Sequence, residues 1–112
     1  MNISGINTYN LGFGQVHRDA ARKAIDESGH NIDKLKKVKK LVEEQKDNSL
    51  YDIMEEPKTH RYMIVRNAED ASAVQDEYCD NFGISYCDNF ETACAIASYN
   101  KMVEDVLACC KE

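Results

Sequence analysis

One hundred and twelve residues, 43% hydrophobic and 30% charged, with one Pro and no Trp, fit a single globular domain and exclude a disordered, collagen-like or multi-domain chain. No apolar run approaches the roughly 18 residues of a membrane helix, and the first 30 residues lack the basic start and apolar block of an export signal, so no membrane partner and a cytoplasmic location are expected. The net charge of −6 is uneven: residues 1–46 hold nine Lys/Arg against six Asp/Glu, net +3, and residues 47–112 hold five against fourteen, net −9.

Residues 1–14 are rich in Asn and Gly, with Tyr9, Leu11 and Phe13 alternating. They read as a flexible arm or an edge strand. From Gln15 to Ser28 the spacing predicts a helix with Val16, Ala20, Ala24 and Ile25 on its inner stripe. Gly29 stops it, because glycine tolerates a left-handed backbone. Asn31 then reads as the N-cap of a second helix from Ile32 to about Gln45, with Asp33 near the positive end of its dipole and Ile32, Leu35, Val38, Leu41 and Val42 as its apolar face. Residues 15–46 are thus expected to form an antiparallel helix hairpin.

Residues 47–59 read as a connector, in which Ser49 and Asp52 suggest a short helical turn over Leu50–Met54, ended at Pro57. His60–Arg66 is the best strand in the chain. Its four consecutive apolar residues, Tyr62 to Val65, suggest a central strand covered by helices on both faces. Asn67 would cap a helix with Ala68, Ala71, Val74 and Tyr78 inside, stopped at Gly83. Ile84–Cys87 would be a second strand. Asp88 and Glu91 would form a capping box for a last helix, Phe90 to about Cys109, with Ala93, Ile96, Ala97, Val103, Val106, Leu107 and Cys110 as its apolar face.

The 60–112 unit is therefore β-α-β-α, with a parallel right-handed crossover between its strands. Two strands make a poor sheet, so a third is expected from residues 7–13 or from a second copy of the chain. The fold class is α+β (or small α/β). A rival reading comes from the repeat of Tyr78-Cys79-Asp80-Asn81-Phe82 as Tyr86-Cys87-Asp88-Asn89-Phe90. It makes residues 74–87 a β-hairpin turning at Asp80–Gly83.

Chemistry-bearing residues are sparse. The five cysteines, Cys79, Cys87, Cys94, Cys109 and Cys110, include no C-x-x-C pair, and their odd number suits a reducing compartment. His17, His30 and His60 show no ligand spacing, and nothing local supports a His60–Cys87 nucleophile pair. Gly12-Phe13-Gly14-Gln15 lacks the lysine of a phosphate loop. No metal, cofactor or catalytic set is expected.

Two charged sets remain. Asp76, Glu77, Asp80, Asp88 and Glu91 form an electronegative surface suited to basic or amphipathic protein. Lys34, Lys36, Lys37 and Lys40, with Arg18 and Arg22 on the neighbouring helix, form a basic set able to face phosphate. Few Arg, Asn or Gln are available there to read bases, and no aromatic side chain to stack them. Tyr9, Tyr51, Tyr86 and Tyr99 are candidate interface anchors or core residues. The expected function is a small acidic protein-binding module of regulator, inhibitor, immunity or phage-accessory type. It would be non-enzymatic, homodimeric, and act by occluding a partner's surface. A nucleic-acid-associated protein using the lysine-rich helix is the alternative.

Overall fold

Residues 15–66 and 84–110 are described by the computed structural model. In chain order they form β1 (Gln15–Val16), α1 (Arg18–Glu27), α2 (Ile32–Glu44), β2 (Tyr51–Glu55), β3 (Tyr62–Arg66), β4 (Ile84–Cys87) and α3 (Phe90–Ala108), with a 3₁₀ turn at Gln45–Asp47 after α2. The sheet order is β1-β2-β3-β4. The β2–β3 and β3–β4 pairs are antiparallel, whereas β1 joins β2 in parallel. The fold is α+β.

Alternation along the strands builds the core. Tyr51 and Ile53 of β2 and Tyr62 and Ile64 of β3 are buried, on the face that receives Ala20 and Ala24 of α1 and Phe90, Ala93, Cys94 and Ala97 of α3. Tyr62 packs on Phe90 with ring centroids 5.5 Å apart. The small residues of α1 and α3 let both helices approach the large side chains of the sheet, so the two layers interdigitate. Asn31 caps α2 by accepting from the backbone N–H of Lys34 at 3.0 Å, and Gly29 takes φ +61°; both follow the expected helix signals.

Several expectations need correction. Gln15 and Val16 are strand rather than helix, and His17 continues the pairing by donating its N–H to the Ile53 carbonyl at 2.9 Å. The helical turn expected over Leu50–Met54 is strand β2. Asn48, not Ser49, sets the local geometry, since its side-chain oxygen accepts from the N–H groups of Leu50 and Tyr51. That turn launches a strand in which Tyr51 and Ile53 alternate with Asp52 and Met54. A further strand is therefore supplied by 51–55, inside the expected connector, while residues 7–13 lie outside the described residues.

The parallel crossover is overturned as well, because β3 and β4 pair antiparallel, Tyr62 opposite Cys87 and Val65 opposite Ile84. β3 does lie between two strands, yet it is not uniformly buried: Tyr62, Ile64 and Arg66 face the core while Met63 and Val65 are half-buried. Asn89, not the Asp88–Glu91 box, caps α3 by accepting from the Thr92 N–H at 3.0 Å. The buried stripe of α3 is Phe90, Ala93, Cys94 and Ala97, and Val106, Leu107 and Cys110 are exposed rather than inside. Ile25, Ile32 and Leu35 are also exposed. The helix expected from Asn67 to Gly83, the rival hairpin and the arm 1–14 lie outside the described residues.

Candidate functional site

The polar residues that the fold gathers most tightly lie under α3. Arg66 ends β3 with its side chain 4% exposed, and Glu104 of α3 is 12% exposed. Arg66 donates Nε–H to Glu104 Oε2 at 2.9 Å and Nη2–H to Oε1 at 2.8 Å, a bidentate fork. The Tyr51 hydroxyl donates to the same carboxylate, and the Arg66 guanidinium lies over the Tyr51 ring, 5.7 Å from its centroid. The cluster fastens the far half of α3 to the sheet.

A second network holds the near half. The Gln45 amide donates to the Cys94 carbonyl at 3.2 Å and to Ser98 Oγ at 2.8 Å. The Asn48 amide donates to the Ala97 carbonyl at 2.9 Å and to Gln45 Oε1 at 3.2 Å. Both side chains are buried, and their donors meet acceptors on one helix. A third tie is at the sheet edge, where His17 Nε2 lies 3.2 Å from Asp52 Oδ2. This hydrogen bond holds the imidazole above its usual pKa, against partial burial, with the Asp52 and Asp19 charges adding to it. The other carboxylate oxygen, Asp52 Oδ1, is buried and has no hydrogen-bond partner. These three sets escaped sequence reasoning. One signal was present: Glu104 falls on the same helical stripe as Ala93 and Ala97, where a lone carboxylate requires a buried cation.

Among the described residues no thiol is hydrogen-bonded to a histidine. Burial, with the Glu44 charge behind it, pushes the Cys94 thiol up to about 12. Burial likewise raises Cys87, whose Sγ–H points to the Asn89 carbonyl at 3.4 Å. Both shifts oppose the thiolate that nucleophilic cysteine chemistry uses. His60 lies 3.0 Å from Glu55, not against Cys87. Among the described residues no group of three or more His, Cys, Asp or Glu is arranged to hold a metal ion.

The charged sets are divided by the fold. Lys34, Lys36, Lys37 and Lys40 are all exposed on α2, and Arg18 and Arg22 are exposed on α1. Lys34 and Lys37 line a cleft of about 150 Å³ floored by Ala24, Val38, Leu41 and Phe90. Arg18 and Arg22 line a separate hollow with Val16 and Ile25. Of the acidic set, Glu91 is tied to Lys37 at 3.0 Å and Asp88 to Arg61 at 2.8 Å; Asp76, Glu77 and Asp80 lie outside the described residues. The two expected surfaces therefore touch, through Lys37 and Glu91. Tyr51 is buried, whereas Tyr86 and Tyr99 are exposed. Among the described residues no helix is long and apolar enough to cross a membrane. No protein-family model, curated protein or solved structure matches the chain.

Proposed function

We propose that this chain is a small non-catalytic protein-binding module that acts by covering the surface of another protein, in the manner of a regulator, inhibitor, immunity or phage-accessory protein of the cytoplasm. One observation carries the reading: large apolar side chains of α1 and α2 stand outside the core, among charged ones. Helix α2 has no buried residue, and Ile25, Ile32 and Leu35 are exposed at 48%, 62% and 37%. Apolar side chains rimmed by charge mark protein contact surfaces. The lysines of α2 and the acidic residues Asp76, Glu77, Asp80, Asp88 and Glu91 would steer and orient such a partner.

The test is capture of a partner with the intact chain, followed by reconstitution from the two pure proteins and titration. Ile32→Asp with Leu35→Asp should weaken the pair at least tenfold while leaving the fold intact, as Ile32 and Leu35 are already exposed. A partner bound equally by wild type and variant, or no partner at all, would overturn the reading. A nucleic-acid role is the second reading, favoured by the exposure of Lys34, Lys36, Lys37 and Lys40. It requires binding to a labelled duplex or single strand that falls steeply with salt and is abolished by Lys36→Glu, Lys37→Glu and Lys40→Glu together.

A further inference from the structure

Helix α3 carries two stripes. The inner one, Phe90, Ala93, Cys94 and Ala97, is buried. On the opposite side Ala95, Tyr99, Met102, Val106 and Cys109 follow one another at intervals of four, three, four and three residues. Ala95 and Cys109 are exposed, and the three large side chains between them are exposed at 69% (Tyr99), 63% (Met102) and 56% (Val106). This is the alternation that keeps an apolar seam facing a second helix along its length. A helix apolar on both sides is one that is covered on both sides.

We infer that the outer seam of α3 is a self-association surface, covered by the α3 of a second copy of this chain. The charges of α3 favour a copy over a charged foreign partner. Lys101 is paired with Asp105 at 2.7 Å, Glu91 with Lys37 and Glu104 with Arg66. Each charge on the helix is thus answered within its own chain, and none lies on the seam. Two copies with a net charge of −6 can bring these neutral faces together without opposing like charges, whereas a charged partner finds nothing to pair with. Self-matching faces of this kind close on a two-fold axis and leave no open end.

The size of the contact also fits. Fifteen residues of helix span about 22 Å. Two such seams, each led by Tyr99 and Met102, bury roughly 1,000 Å² in total, near the lower bound for a specific pair. A reversible dimer with Kd on the order of micromolar follows. The inference stands apart from the proposed function, because the foreign-partner surface was placed on α1 and α2.

The experiment is sedimentation velocity on the full chain from 1 to 200 µM, at 50 and 500 mM salt. Wild type should move from 12.7 kDa towards twice that mass, with the same Kd at both salts. Met102→Glu sets two carboxylates face to face at the centre of the seam and should raise Kd at least 100-fold, with an unchanged melting temperature because Met102 is exposed. Tyr86→Glu, on an exposed apolar residue of the sheet, should leave the dimer intact. A wild type that stays monomeric at 200 µM overturns the inference. So does a dimer that survives Met102→Glu, or one that Tyr86→Glu breaks instead. A fall in melting temperature for Met102→Glu without any change of mass would show the seam covered by the chain itself, and would equally refute it.

Discussion

Replacing Glu104 by Leu removes the carboxylate but keeps most of the side-chain volume. The Arg66 guanidinium, 4% exposed, then loses the two bonds of this fork, and the Tyr51 hydroxyl loses its bond to Glu104. Removing one partner of a buried pair typically costs 3–5 kcal/mol, because the remaining charge stays out of water. Glu104 is 12% exposed, so some water reaches the site and the low end, about 3 kcal/mol, is expected. That is a large share of the roughly 5–15 kcal/mol that holds a domain folded. At about 4 °C per kcal/mol for a domain near this size, the melting temperature should fall by roughly 12 °C.

Urea titrations of wild type, Glu104→Leu, Arg66→Met and the double variant give the cycle. The double variant should regain most of the loss, since two apolar side chains of similar volume replace a desolvated pair at little net cost. The reasoning fails if Glu104→Leu costs less than 1 kcal/mol. It fails equally if the double variant is no more stable than the single one, because the damage would then come from lost packing and not from the broken Arg66–Glu104 pair.

Two further predictions concern the Asn48 and His17 ties. Asn48→Asp should destabilise by at least about 2 kcal/mol, and by more than Asn48→Ala, because the donor to the Ala97 carbonyl becomes a buried charged acceptor; urea midpoints of the two variants decide the order. His17 has a folded pKa raised above 6.5 by its bond to Asp52. Its contribution is therefore full below pH 6.5 and is lost as the pH climbs through the folded value. Urea midpoints of wild type minus His17→Gln should accordingly shrink from pH 6 to pH 9, and a difference that grows with pH would refute the assignment.

Signals local to a few residues were legible in the sequence. Gly29 marks the end of α1 and Asn31 the start of α2, because a left-handed stop and a cap need only their own backbone. The continuous apolar run made β3 plain, and the stretch from Phe90 marked a long helix. Tyr51–Glu55 was not legible, since Leu50, Tyr51, Ile53 and Met54 fit a helical turn as well as a strand. What decides is Asn48, whose side chain is held in place by Ala97, 49 residues away. The direction of β4 was hidden for the same reason: strand pairing depends on partners distant in sequence, and the segment before Ile84 had helical composition. Among the candidate site residues, the lysines of α2 could be placed on an exposed face from periodicity alone. Their division from Arg18 and Arg22 could not, because it depends on how the two helices sit on the sheet.

The net charge of −6 takes on a different meaning once the fold is known. Counted along the chain it describes a basic half and an acidic half ready to act at a distance. In the structure Lys37 reaches Glu91, Arg61 reaches Asp88, and Arg66 reaches Glu104, so three basic residues each neutralise a carboxylate from another element. An exposed pair such as Lys37–Glu91 contributes at most about 1 kcal/mol to stability. Its larger effect is on the outside field: it shortens both charged sets and lowers the potential that would otherwise draw phosphate to α2. Apolar side chains, by contrast, remain uncovered along α2 and the outer seam of α3. Charge then governs how a partner approaches and turns, while Ile32, Leu35, Tyr99 and Met102 supply the area that holds it, so the affinity of any complex made through these faces should depend only weakly on salt.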